Sequence, residues 1–69
     1  TPLDRAYKLL EVSPLTPLEE IKSNYRRLVS KFHPDKIASK ELPEEFISFA
    51  NAKFKEIQDA YELVLKERG

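Results

Sequence analysis

The chain has no cysteine, no methionine, no tryptophan, one glycine and one histidine among its 69 residues. Without cysteine there is no disulfide framework and no thiolate metal site, which fits a reducing compartment. A lone histidine and no glycine-rich phosphate loop make a metal or hydrolytic centre hard to assemble. No metal and no cofactor is therefore expected, and neither is an enzyme. No apolar run exceeds a few residues, so nothing in the sequence spans a bilayer, and no signal-peptide pattern or initiator methionine is present. The chain is expected to be a piece of a longer protein. An excess of one charge is missing too: 12 basic and 12 acidic residues cancel, so only the distribution of charge could argue for nucleic acid. Strand signals are absent as well, since β-branched residues are few and nothing alternates with period two.

What is present fits one small all-α domain, with 41% hydrophobic and 35% charged residues. A core of this size supports a net stability of about 3–5 kcal/mol. Thr1-Pro2-Leu3-Asp4 is a helix start, with a capping threonine, proline in the first turn and an acid beside it. That first helix is predicted over about 3–11. Thr16 with Glu19 three residues on reads as a capping box, with Pro17 at the first helical position, and opens a second helix over about 17–32. Pro43, Glu44 and Glu45 open a third over about 43–66, where Phe46, Ala50, Phe54, Ile57, Tyr61 and Val64 recur at spacings of three and four. Glu62 and Lys66 should form an i, i+4 ion pair on it. Phe46, Phe49, Phe54 and Tyr61 are expected in the core. Glu44 and Glu45 are expected to be first-turn acids and not a catalytic pair. The connection between the second and third helices permits an antiparallel hairpin, with the first helix packed across it.

The second helix carries the most distinctive stretch. Ile21, Tyr25, Leu28 and Phe32 fall at i, i+4, i+7 and i+11, one face of a helix. Lys22, Arg26, Arg27 and Lys31 lie between them, and no acid appears from Ile21 until Asp35. Pro34 then ends the helix and pushes His33 out of the α region. A cationic helix thus stops abruptly with an imidazole and a carboxylate at its end, in a loop over 33–36. Taken alone, the His33-Pro34-Asp35 triplet is a plain helix stop, and a basic stripe is more often a solvated face than a binding site. Tyr25 is expected half in the core and half at the surface.

The wider pattern tips that balance. Tyr7 to Val12, Ile21 to Leu28, Phe32-His33-Pro34-Asp35-Lys36, and Phe54-Lys-Glu-Ile-Gln-Asp-Ala-Tyr-Glu62 resemble, in order and over nearly the whole chain, the J-domain, the module of DnaJ-like co-chaperones. The long connection from Ile37 to Glu45 is most similar to the bacterial DjlA type. Two departures stand out: Glu11 occupies a position where the family usually has glycine, and the short last helix of longer J-domains is missing or reduced to Lys66-Glu67-Arg68.

The resemblance implies a co-chaperone module that binds a DnaK-type chaperone and stimulates its ATP hydrolysis, coupling it to client binding. His33, Pro34 and Asp35 would be the triggering loop. Lys22, Tyr25, Arg26 and Arg27 would form the binding face, assisted by Lys31 and Lys36. It further implies the cytoplasmic side, from a parent tethered to the bacterial inner membrane, with no membrane contact by this domain; a monomer is assumed, and the zero net charge argues for no nucleic acid. Rival readings are a three-helix DNA-binding module, opposed by the zero net charge and by Glu56, Asp59 and Glu62 on the third helix; a metal or hydrolytic enzyme; and a purely structural hairpin.

Overall fold

In the computed structural model, which describes all 69 residues, Thr1 begins helix α1 (Pro2–Leu9) as its sequence leads one to expect. The Thr1 hydroxyl accepts a hydrogen bond from the Asp4 N–H at 3.1 Å, and Pro2 stands in the first turn, where its missing N–H has no intrahelical role. Three further helices follow: α2 (Leu18–Phe32), α3 (Pro34–Ala38) and α4 (Glu44–Arg68), with no strand.

α1 ends in a turn that a glycine would ordinarily make. The Glu11 N–H donates to Lys8 O and the Val12 N–H to Tyr7 O, both at 3.0 Å, with Glu11 at φ +59° between them. This is a Schellman closure, whose left-handed residue usually lacks a Cβ. Holding glutamate there costs about 1–2 kcal/mol relative to a right-handed residue. Two side chains of α2 grip the strained turn. Asn24 donates from Nδ2 to Leu10 O at 3.2 Å and Glu11 O at 3.3 Å, satisfying carbonyls at the end of α1. Arg27 Nη2 donates to Glu11 Oε1 at 2.9 Å.

The start of α2 differs from the expected capping box. Thr16 Oγ1 turns back to accept from the Ser13 N–H at 2.9 Å, and it lies 3.3 Å from Ser13 Oγ. It is spent on the preceding turn, so Pro17, extended at ψ 145°, becomes the N-cap without a side-chain bond. Glu19 and Glu20 then meet the positive end of the helix dipole as first-turn acids.

The expected loop over 33–36 is largely helical. Pro34 through Ala38 are helical, because the same signals that start α1 recur there. His33 caps, Pro34 sits in the first turn, Asp35 supplies the acid, and Ile37 is buried. The loop shrinks to the stretch from Ser39 to Pro43.

α1 and α2 both pack on α4, and α3 touches α2 and α4. Leu10, Ile21, Ile57 and Val64 are fully buried at the centre, joined by Ala6, Tyr7, Leu28 and Ala60. Tyr25 and Tyr61 stack with centroids 3.8 Å apart and planes 7° from parallel, riveting α2 to α4 with both rings only half-buried. At the far end of α4, Arg68 donates from Nε to the hydroxyl of buried Tyr7 at 3.3 Å and from Nη2 to Pro14 O at 2.7 Å. Lys66, Glu67 and Arg68 are thus the last turn of α4 and not a separate element. Lys55 and Asp59 approach to 3.9 Å, whereas the expected Glu62–Lys66 pair does not form.

Phe46 and Phe49 are not in the core: they are 56% and 63% exposed. The reason is length. α4 has 25 residues and α2 has 15, about 37 Å against 22 Å at the usual rise, so α4 overshoots its partner. The five-residue α3 covers only part of the excess. Phe54 is half-buried, also short of the core position expected for it.

Two predictions follow from the packing. Ile57→Ala should cost about 2–5 kcal/mol, comparable to the whole stability of a domain this size, and leave the chain largely unfolded in a urea titration followed by circular dichroism. Glu11→Gly should stabilise an Arg27→Ala background by about 1 kcal/mol, the relief of left-handed strain. In the parent the gain should be smaller by the lost ion pair, about 0.2–1 kcal/mol for an exposed pair. Equal gains in both backgrounds would show that Arg27 contributes nothing to holding the turn.

Candidate partner-binding surface

The tip at Pro34 is built from short-range constraints. His33 is extended at φ −59°, ψ 136°, as required of a residue before proline. Its Nδ1 accepts a hydrogen bond from the Asp35 N–H at 3.2 Å, capping α3. That bond needs the lone pair on Nδ1 and so leaves the ring proton on Nε2. The ring also meets Phe54 of α4 edge-on, with centroids 5.6 Å apart at 77°. Buried Ile37 anchors α3 and its N–H donates to His33 O at 3.0 Å. The imidazole is therefore oriented by two contacts, yet its side chain remains 46% exposed.

Asp35 is different. Its backbone serves the cap, while its carboxylate is 97% exposed and accepts no hydrogen bond, the one approach being His33 Nδ1 at 3.9 Å. An ionised carboxylate offers acceptors only, so Asp35 presents an unoccupied acceptor pair to whatever docks at the tip. Pro34 joins the two and fixes their relative direction.

Along α2 the expected binding residues separate into distinct environments. Lys22 and Arg26, four apart, share one line of the helix surface. Lys22 is half-buried, and Arg26 is exposed with no carboxylate within ion-pair distance. Arg27 and Lys31 lie on a second line about 100° around the helix from Arg26, on the side of the α1 turn. Arg27 is exposed but engaged by Glu11 at 2.9 Å, and Lys31 Nζ rests 5.7 Å from the Phe32 ring. Lys36, on α3, is exposed. Tyr25 is held by its stack on Tyr61 and exposes only part of its surface. Free cationic charge is thus carried by Lys22 and Arg26 on one side of α2, by Lys31 on another and by Lys36 on α3, with Arg27 tied to the α1 turn.

Four residues that shape the surface were not singled out for it by sequence: Glu11, Asn24, Ile37 and Phe54. Ile37 had a signal, an apolar residue one turn beyond a cap-and-proline start. Phe54 had none, because its edge contact with His33 spans two helices.

Residues 5–68 match the family model described as the DnaJ domain. The chain is also similar to curated proteins named Co-chaperone protein DjlA. That of Legionella pneumophila is 48% identical over 67 residues, covering 97% of this chain and 23% of the relative. That of Vibrio parahaemolyticus is 45% identical over 64 residues, 93% of this chain and 22% of the relative. That of Shewanella oneidensis is 42% identical over 69 residues, 100% of this chain and 26% of the relative. The chain therefore spans about a quarter of the length of these relatives. No solved structure matches it. A family match that runs from the first helix to the last turn of α4 makes the assignment plain: this chain belongs to the DnaJ-domain, or J-domain, family.

Proposed function

We propose that the domain docks on a DnaK-type chaperone through the cationic face of α2 and the His33-Pro34-Asp35 tip, and stimulates that partner's ATP hydrolysis. The observation that carries this reading is the tip itself: an oriented imidazole and an unengaged carboxylate, fixed by Pro34 at the end of a cationic helix. Family membership and relatives named as co-chaperones support it.

The division of labour follows from the chemistry. Lys22, Arg26, Lys31 and Lys36 attract an acidic surface, raising the encounter rate and setting register more than adding affinity. Arg26 can fork onto a carboxylate, and Arg27 can do so when Glu11 releases it. Asp35 accepts from an arginine or backbone N–H of the partner, and His33 donates from Nε2. Because Pro34 and the His33 cap already fix the corner, docking loses little loop entropy. The domain performs no chemistry. It binds the hydrolysis-competent state of the ATPase more tightly than other states and so raises the population of that state. It acts as a single copy, on the cytoplasmic side, with the inner-membrane tether elsewhere in the parent protein; no helix described here is long and apolar enough to cross a membrane.

In single-turnover hydrolysis by a bacterial DnaK-type chaperone, the domain should accelerate the step by roughly tenfold or more, equivalent to about 1.4 kcal/mol or more off the barrier. His33→Gln and Asp35→Asn should each abolish most of that acceleration while leaving the far-UV dichroism in place; Asp35→Asn should melt with the parent, and His33→Gln, which loses the cap on the Asp35 N–H, somewhat below it. Full stimulation by both variants would refute the tip's role. Arg26→Ala should slow association several-fold at low salt and flatten its ionic-strength dependence, with a smaller effect from Arg27→Ala. If Arg26→Ala associates like the parent at every salt concentration, α2 is not the contact face.

A further inference from the structure

We infer that the first turns of α4 form a second docking surface, distinct from the α2 face, that takes an apolar peptide segment flanked by lysine or arginine. Leu42, Phe46 and Phe49 are 36%, 56% and 63% exposed, and they lie within two helical turns of chain. Phe46 and Phe49, three apart, share one side of the helix. Neither belongs to the hydrophobic core cluster, nor do they line the group of residues packed against it. Of the other large exposed apolar side chains, Leu15 is a lone surface leucine and Leu63, 37% exposed, lines a groove with Leu9 and Ala6 of α1. Adjacent exposed phenylalanines are another matter: aromatic side chains with one free face are the usual anchors of protein interfaces.

The surroundings specify the occupant. Glu41, Glu44 and Glu45 are all exposed, and none is in an ion pair. The helix dipole accounts for Glu44 and Glu45 but not for Glu41, which precedes the helix, nor for the phenylalanines. Against the single cation of residues 40–49, exposed Lys40, this end of α4 is apolar with a net anionic border, opposite in sign to the α2 stripe. An acidic surface drawn to α2 would be repelled here, whereas a segment with an apolar centre and basic flanks matches both features.

The test uses a fluorescently labelled peptide with a leucine- and phenylalanine-rich centre and lysines at both ends, and a second peptide with glutamates in place of the lysines, titrated with the domain and followed by anisotropy. The lysine-flanked peptide should bind roughly tenfold or more tightly than its glutamate-flanked counterpart, and its affinity should fall as salt rises. Phe46→Ser combined with Phe49→Ser should remove binding. Glu44→Gln combined with Glu45→Gln keeps the apolar side chains and should reduce the preference between the peptides, so a fold defect in the serine variant does not leave the question open. Both variants should stimulate a DnaK-type ATPase as the parent does, which separates this surface from the tip. Equal binding of the two peptides, or unchanged binding by the serine variant, would overturn the inference. So would concentration-dependent self-association of the parent in sedimentation that the serine variant abolishes, because the face would then belong to a second copy of the chain.

Discussion

Proline cannot donate a backbone hydrogen bond, and it holds the residue before it out of the helical region. Both constraints meet at Pro34. They stop α2 at Phe32, force His33 to ψ 136°, and start α3 in the next residue. A change of direction that would otherwise need a flexible loop is made in one extended residue. The imidazole then closes the corner by accepting from the Asp35 N–H, so the tip's shape depends on a bond between residues two apart. Everything proposed for the surface depends on this corner being stiff.

The hairpin was legible because its signals are local and periodic. The repeat of Ile21, Tyr25, Leu28 and Phe32 and the Thr1–Pro2 start concern residues within a turn or two of each other. Sequence and structure part where a side chain has two possible partners or where element lengths differ. Thr16 had the spacing for a capping box with Glu19, but its hydroxyl is taken by the Ser13 turn. Phe46 and Phe49 have core periodicity, yet periodicity states which face they occupy and not whether anything lies opposite. Only the 25-residue length of α4 against the 15 of α2 reveals that nothing does. The helical character of Pro34–Ala38 was visible in principle, since His33, Pro34 and Asp35 repeat the logic of Thr1, Pro2 and Asp4. Of the candidate surface, exposure and charge could be anticipated. The engagement of Arg27 by Glu11 could not, because those residues are 16 apart in sequence.

That pair shows how one charge serves two ends. Glu11 holds a left-handed conformation that disfavours any side chain with a Cβ, so the turn after α1 is held against a local preference. Asn24 and Arg27 supply the opposing force from α2. A glycine at that position would remove the strain and the carboxylate together, leaving Arg27 wholly on the outer face. With glutamate, part of the face's charge density is internally neutralised, and electrostatic attraction is concentrated on the line through Lys22 and Arg26 toward the tip. Salt then acts twice, screening the attraction to a partner and loosening the Arg27–Glu11 contact that tempers it.

A domain this small has little stability to spare, and a site that relied on its core for rigidity would soften as the core did. The tip avoids that dependence. Its constraints are a proline ring, a bond from a side chain to a backbone N–H two residues on, one buried isoleucine and one ring edge from α4. The core, by contrast, is centred on Leu10, Ile21, Ile57 and Val64, none of which is among the groups that orient His33. Damage to that core lowers the fraction of folded molecules but leaves the corner intact in those that remain. Exposed groups at the corner can change without reducing the fold, because Asp35 contributes its side chain to nothing internal beyond a 3.9 Å approach. Stability and activity are consequently written in different residues, and substitutions in the two sets should act independently on the amount of folded domain and on what each folded molecule does.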